Sequence, residues 1–161
     1  MNMKKHWLKS LAVAAVVAMA SANASADILA GVTAKGQHGL MDVIMPVAGM
    51  TTAEFKHPGG QLAATYTAQC YASKVEGQLA DQALVNVEIC VRSAVGGCAA
   101  VLSPTDAGAP FCAAGEMPRI TSVTGLATLP PGNYRIMVRA QTQHQPRAEA
   151  WMGPRSLVVS H

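Results

Sequence analysis

The sequence predicts an all-β fold, an antiparallel β-sandwich of the jelly-roll kind, behind a cleaved N-terminal signal peptide. Three observations predict it. After position 26, apolar residues recur mostly at every second position. Short breaks rich in Gly, Pro, Asn and Asp divide these runs at close intervals. All four cysteines fall in the same part of the chain, and an even set in an exported protein reads as disulfides.

The first 26 residues are an export address. Lys4, Lys5 and Lys9 give a positive start, Leu11 to Ala20 an apolar middle, and Ala24-Ser25-Ala26 a small-residue end. The apolar run is too short for a bilayer, which needs about 20 residues. Cleavage is expected between Ala26 and Asp27. It removes three of the 12 Lys and Arg residues, leaving nine against nine acids, so the mature chain is formally neutral. No basic patch remains to neutralise phosphates, and nucleic acid is excluded as a partner. No cysteine stands at the cleavage site and no second long apolar run follows. The expectation is therefore a periplasmic or extracellular protein with no membrane anchor once the signal is removed. A chain of this length is expected to hold one domain. Residues 27–40, rich in Gly and Ala, are expected to form a flexible arm before a sandwich spanning 41–161.

Strands are expected near 41–47, 51–56, 62–72, 84–92, 98–102, 119–129, 133–142, 148–152 and 156–160. Turn chemistry separates them at His57-Pro58-Gly59-Gly60, Gly96-Gly97, Ser103-Pro104-Thr105-Asp106 and Pro130-Pro131-Gly132-Asn133. The one short helical candidate, Glu76 to Ala83, lacks an apolar stripe. Many short strands at this spacing point to a sandwich or jelly roll. The clearest hairpin expected is Thr121 to Gln141. On its second arm Tyr134, Ile136, Val138 and Ala140 face one way, and Arg135, Met137, Arg139 and Gln141 the other. The two arginines read as a solvated strand face. Leu157-Val158-Val159 is apolar throughout and suits a central strand or one covered at an oligomer interface, so a homo-oligomer is among the expected assemblies. Trp151, the only Trp after the signal, reads as a core or rim anchor rather than a sugar-stacking platform.

Strand parity also pairs the cysteines. Cys70 shares a face with Leu62, Tyr66 and Ala68 and points to the core. Cys90 shares a face with Asn86, Glu88 and Arg92 and points outward. An inward and an outward cysteine do not readily meet, because bridged β-carbons approach to about 4 Å. Residues 93–97 form a hairpin loop that returns the chain at Cys98, so Cys90–Cys98 staples the hairpin and Cys70–Cys112 joins distant strands. No C-x-x-C occurs and no His lies within four residues of a cysteine, which leaves redox or metal chemistry at these sulfurs without support.

No catalytic motif is found. The chain has no G-x-S-x-G elbow, P-loop, dinucleotide fingerprint or H-E-x-x-H, and spacing selects no carboxylate pair. A non-enzyme without a cofactor is expected. One cluster suits a metal, namely His38, Met41, Met45 and Met50. Imidazole and thioether ligands suit copper, and thioethers favour Cu(I). Against this, Met41 and Met45 alternate with Val43 and Val47 as gap-filling strand-core residues would.

One order of segments resembles a group of small secreted bacterial β-sandwich proteins. It runs Tyr66-Thr67-Ala68-Gln69-Cys70, Val85 to Ile89, Leu102-Ser103-Pro104-Thr105, Phe111-Cys112, Leu129 to Tyr134 with Val138-Arg139-Ala140, and Ser156 to Val159. The strand order looks like the jelly roll of tumour necrosis factor and complement globular heads. The resemblance covers residues 62–160 and implies a jelly roll with a core bridge matching Cys70–Cys112. The pair Cys90 and Cys98 departs from it. It implies no activity. The function expected is a secreted interaction or structural module, stabilised by two disulfides, that presents loops to a protein or glycan; copper binding through the His38 segment is the alternative.

Overall fold

The computed structural model describes residues 26–73, 84–93, 97–102, 110–115, 117–143 and 149–161. They form eleven strands: β1 (Ile28–Ala34), β2 (His38–Gly39), β3 (Met45–Thr51), β4 (Phe55–His57), β5 (Gly60–Ala72), β6 (Leu84–Ser93), β7 (Ala100–Leu102), β8 (Cys112–Ala113), β9 (Arg119–Leu129), β10 (Gly132–Gln143) and β11 (Ala150–Ser160). Among the described residues there is no helix; the candidate at Glu76 to Ala83 lies outside them.

The strands make two antiparallel sheets. One runs β1-β11-β5-β9, with β2 also on β11; the other runs β3-β10-β6-β7, with β4 on β10 and β8 on β6. Successive long strands alternate between the sheets, which is the jelly-roll path and a double Greek key. Sandwich packing follows from the alternation in each strand. β5 buries Leu62, Ala64, Tyr66, Ala68, Cys70 and Ala72 and turns the residues between them outward. Its small residues let the sheets close, and Tyr66, wholly buried, fills the middle of the sandwich. Its ring lies 5.4 Å from that of Phe111, and its hydroxyl donates to Met152 Sδ at 2.9 Å. From β6 and β10 the facing layer supplies Val85, Val87, Ile89, Val91, Ile136, Val138 and Ala140.

Several expectations change. Residues 27–40 are not a loose arm: β1 pairs with β11 from Ile28↔Ser160 to Ala34↔Arg155, and β2 pairs with it at Trp151 and Met152. The sandwich therefore begins well before residue 41. β1 caps what would otherwise be a free edge of β11, which is the reason this Gly- and Ala-rich stretch is ordered. The expected hairpin over Thr121 to Gln141 is a crossing between sheets: β9 pairs with β5, and β10 with β3, β4 and β6. A Pro-Pro-Gly-Asn turn reverses the chain equally well in either case, and the partner strands decide. The two strands expected at 148–152 and 156–160 are the single, bulged β11. It is central in its sheet, as its apolar run predicts. Both disulfides form as paired by parity and the hairpin loop, Cys70–Cys112 and Cys90–Cys98, and no described cysteine is free.

Candidate functional site

The two outer faces of the sandwich differ in chemistry. On the β3-β10-β6-β7 sheet, the outward register sets Arg139 against Glu88 and Arg135 against Arg92. Arg139 and Glu88 form an ion pair, and Arg135 lies 3.9 Å from Glu54. Arg135 stands on the solvated face expected for the two arginines, Arg139 is half-buried beside Glu88, and the β6 flank differs further. Asn86 and Cys90, on its β6 flank, are buried rather than exposed. The outward positions of the other sheet carry no charge. Across its rows stand Gly31, Val158, Thr65 and Thr124, then Thr33, Ser156, Thr67 and Ser122. Hydroxyls meet across strands, Thr65 Oγ1 with Thr124 Oγ1 and Thr67 Oγ1 with Ser122 Oγ, both at 2.9 Å. Ile120 and Leu126 on β9 are 80% and 59% exposed on the same face.

A bulge shapes the middle of this face. From Cys70 to Ala68, β5 advances two residues while β11 advances three, from Met152 to Arg155. The extra residue falls at Gly153-Pro154, where strand breakers are tolerated. Its effect is a change of face. Leu157 and Val159 point inward, and unbroken parity would send Trp151 inward too. The bulge instead seats Met152 in the core and turns Trp151 outward, beside its cross-strand partner Tyr71. The two rings stack at 5.4 Å and 28°. Trp151 is thus a half-buried rim anchor on a sheet face.

Beside the bulge lies a depression of about 380 Å³, lined by Thr67, Ala68, Gln69, Ile120, Pro154, Arg155 and Ser156. Arg155 is its floor and is not free for a ligand. It is buried, and it donates to the carbonyls of Ala48 (3.1 and 2.7 Å), Gly36 (2.7 Å) and Gly153 (2.9 Å). Those bonds tie the chain on either side of β2 to the bulge. A charged residue at an inward position of an otherwise apolar strand was the signal that marks Arg155 as structural.

The proposed metal residues are spread over both sheets. His38 on β2 lies on the β11 side, with Nε2 buried and without a hydrogen-bond partner. Burial first, and then the Arg155 guanidinium, hold its imidazole below the ordinary value. Met41 is exposed, Met45 is half-buried on β3, and Met50 is sealed in the core. Among the described residues no group of three or more His, Cys, Asp or Glu side chains could hold a metal ion. His57, unremarked in the sequence beyond its turn, is completely buried. Its Nδ1 accepts from the Gly59 amide at 3.1 Å, and its ring lies edge-on to His161 and Tyr134.

No protein-family model matches the chain, and no curated protein does. Solved structures do. The structure of infectious bursal disease virus Gx strain superposes with a TM-score of 0.58 at 12% identity, over 84% of this chain. The infectious bursal disease virus VP2 subviral particle gives 0.55 at 11% identity, over 85% of this chain. This chain spans about a third of the length of each, 32% and 33%. At such identity the likeness shows the fold alone, and it agrees with the jelly-roll path of the strands.

Proposed function

We propose that this chain is an exported, non-enzymatic binding module whose working surface is the outer face of the β1-β11-β5-β9 sheet. One observation carries the reading: across four strands the outward positions bear no charge, while Ile120 and Leu126 stand exposed among hydroxyl-bearing neighbours. A continuous uncharged face of this kind marks a contact surface. The export leader and the two disulfides support a place outside the cytoplasm.

The test is protection in place. Ile120→Cys and Arg135→Cys put a single reactive thiol on opposite faces. In purified protein both label readily with a maleimide. In the cell envelope, labelling of Ile120→Cys should slow several-fold while Arg135→Cys keeps its rate. Equal rates at the two positions in both settings would sink the reading.

Copper binding by the His38 segment is a second reading, favoured by the unpartnered His38 Nε2; Met50, sealed in the core, supplies no ligand to it. Stoichiometric retention of Cu(I) by purified protein would support it, and no retention would remove it.

A further inference from the structure

We propose that the tract from Trp151 to the bulge depression is a binding site for a neutral oligosaccharide. The inference rests on the reading of this sheet face as a contact surface, and it names the ligand class.

The first observation is the open flank of Trp151. Tyr71 stacks on one side of the indole. On the other side the residue directly opposite in the sheet is Gly39, and a β-carbon built there would meet nothing within 4 Å. Directly paired residues of antiparallel strands project to the same face. Space is therefore open beside the indole where a side chain would otherwise stand. Two residues along, Gly153 is covered instead; a β-carbon there would lie 2.5 Å from Gln69 Oε1 and 3.3 Å from the Trp151 ring. The Gln69 carboxamide and the Trp151 ring thus both lie over the same glycine.

The second observation is what continues from there. The depression adds hydroxyls from Thr67 and Ser156 and apolar walls from Ile120 and Pro154. Along β5 the step from Tyr71 to Thr67 is four residues, about 13 Å at strand rise, which is room for more than one sugar unit. Carboxamides and hydroxyls each both donate and accept, as the hydroxyls of a sugar do. The apolar C–H face of a pyranose ring matches the open flank of the half-buried indole, whose ring supplies contact area at small entropic cost.

Charge argues against other occupants. The outward strand positions of the tract are uncharged and the Arg155 guanidinium is spent on three carbonyls; the exposed cations nearest it are Lys35, one residue past Ala34↔Arg155, and Arg119, at the inward parity of β9. An anionic glycan or phosphate would find counter-charge only at the margins of the tract, from Lys35 and Arg119, and none between Trp151 and Ser156. An extended peptide would seek the backbone of a sheet edge rather than a closed face between paired strands.

The experiment is calorimetric titration of the purified protein with cellohexaose, maltohexaose and chitohexaose, and with polygalacturonate as the anionic control. Saturable binding of at least one neutral probe, and none of the control, is expected. Gly39→Val tests the flank: its new side chain enters empty space, so the melting temperature should hold while affinity falls by about tenfold or more. Gln69→Ala should weaken binding with little change in melting temperature. Absence of saturable binding by all three neutral probes overturns the proposal, and so does undiminished affinity in Gly39→Val. If the neutral probes fail while Ile120→Cys stays protected in the envelope, only the ligand class falls. If that protection is absent as well, the reading of the face falls with it.

Discussion

At the scale of single residues, the sandwich is closed by positions where a side chain is missing. Gly125 sits on the inward face of β9, and its α-carbon rests against β7. A β-carbon there would collide with Leu102 Cβ and come within 3.1 and 3.2 Å of its backbone. Neither β9 nor β7 can yield without breaking its own ladder. Gly125→Ala should therefore cost about 1–3 kcal/mol by overpacking, against the usual small gain from removing a strand glycine. A urea unfolding curve checks this, and an unchanged midpoint would show that the sheets can separate locally. In the sequence Gly125 reads only as a weak point in a strand, because nothing local says that the partner sheet approaches it. Tyr66 and Cys70 were legible, since both fall on the apolar parity of β5. His57 was not. Its position inside turn-rich sequence suggests solvent, yet β4 pairs with β10 and carries it under Tyr134.

At the scale of elements, β11 explains most of what the sequence could and could not tell. Its apolar run from Leu157 predicts a central strand, and it is one. Its first half was unreadable by alternation because the bulge at Gly153-Pro154 resets the parity and sends Trp151 to the outside. Gly and Pro mark such a place, but which face each side then takes depends on the partner register. The same strand holds β2, through Trp151↔Gly39 and Met152↔His38. This short pairing has a built-in acid sensitivity. The His38 imidazole is held below its ordinary value by burial and by Arg155, so the folded state resists protonation more than the unfolded chain does. The unfolded chain takes up the proton first as pH falls below about 6.5, so stability present above that value is lost on acidification. Thermal midpoints measured at about pH 7.5 and about pH 5.5 should drop more in the parent protein than in His38→Gln. An equal drop in both would assign the acid response to other groups.

For the whole molecule, the jelly roll is a fold of distant partners, and its two disulfides act on that distance unequally. Cys90–Cys98 closes a short loop between β6 and β7, which are already neighbours in one sheet. Cys70–Cys112 reaches from β5 to β8, and so from one sheet to the other, across 42 residues of sequence. Parity together with the hairpin loop was enough to pair the four sulfurs: parity set Cys70 apart from Cys90, and the loop over 93–97 returned Cys98 to Cys90. It was not enough to say that β9 and β10 part company after Leu129, since a turn records reversal and not sheet membership. Chain entropy then orders the two bridges. Closing the longer loop removes more freedom from the unfolded chain, about 4 kcal/mol against about 2.5 kcal/mol for the shorter. Cys70→Ala with Cys112→Ala should accordingly lower unfolding stability more than Cys90→Ala with Cys98→Ala. The longer bridge also lies in the core, where its loss leaves a cavity between the sheets and widens the gap. Denaturant titration of the two double variants against the parent decides it. A greater loss on removing Cys90–Cys98 would mean that the covered outer flank of β6, and not the join between sheets, limits the stability of the fold.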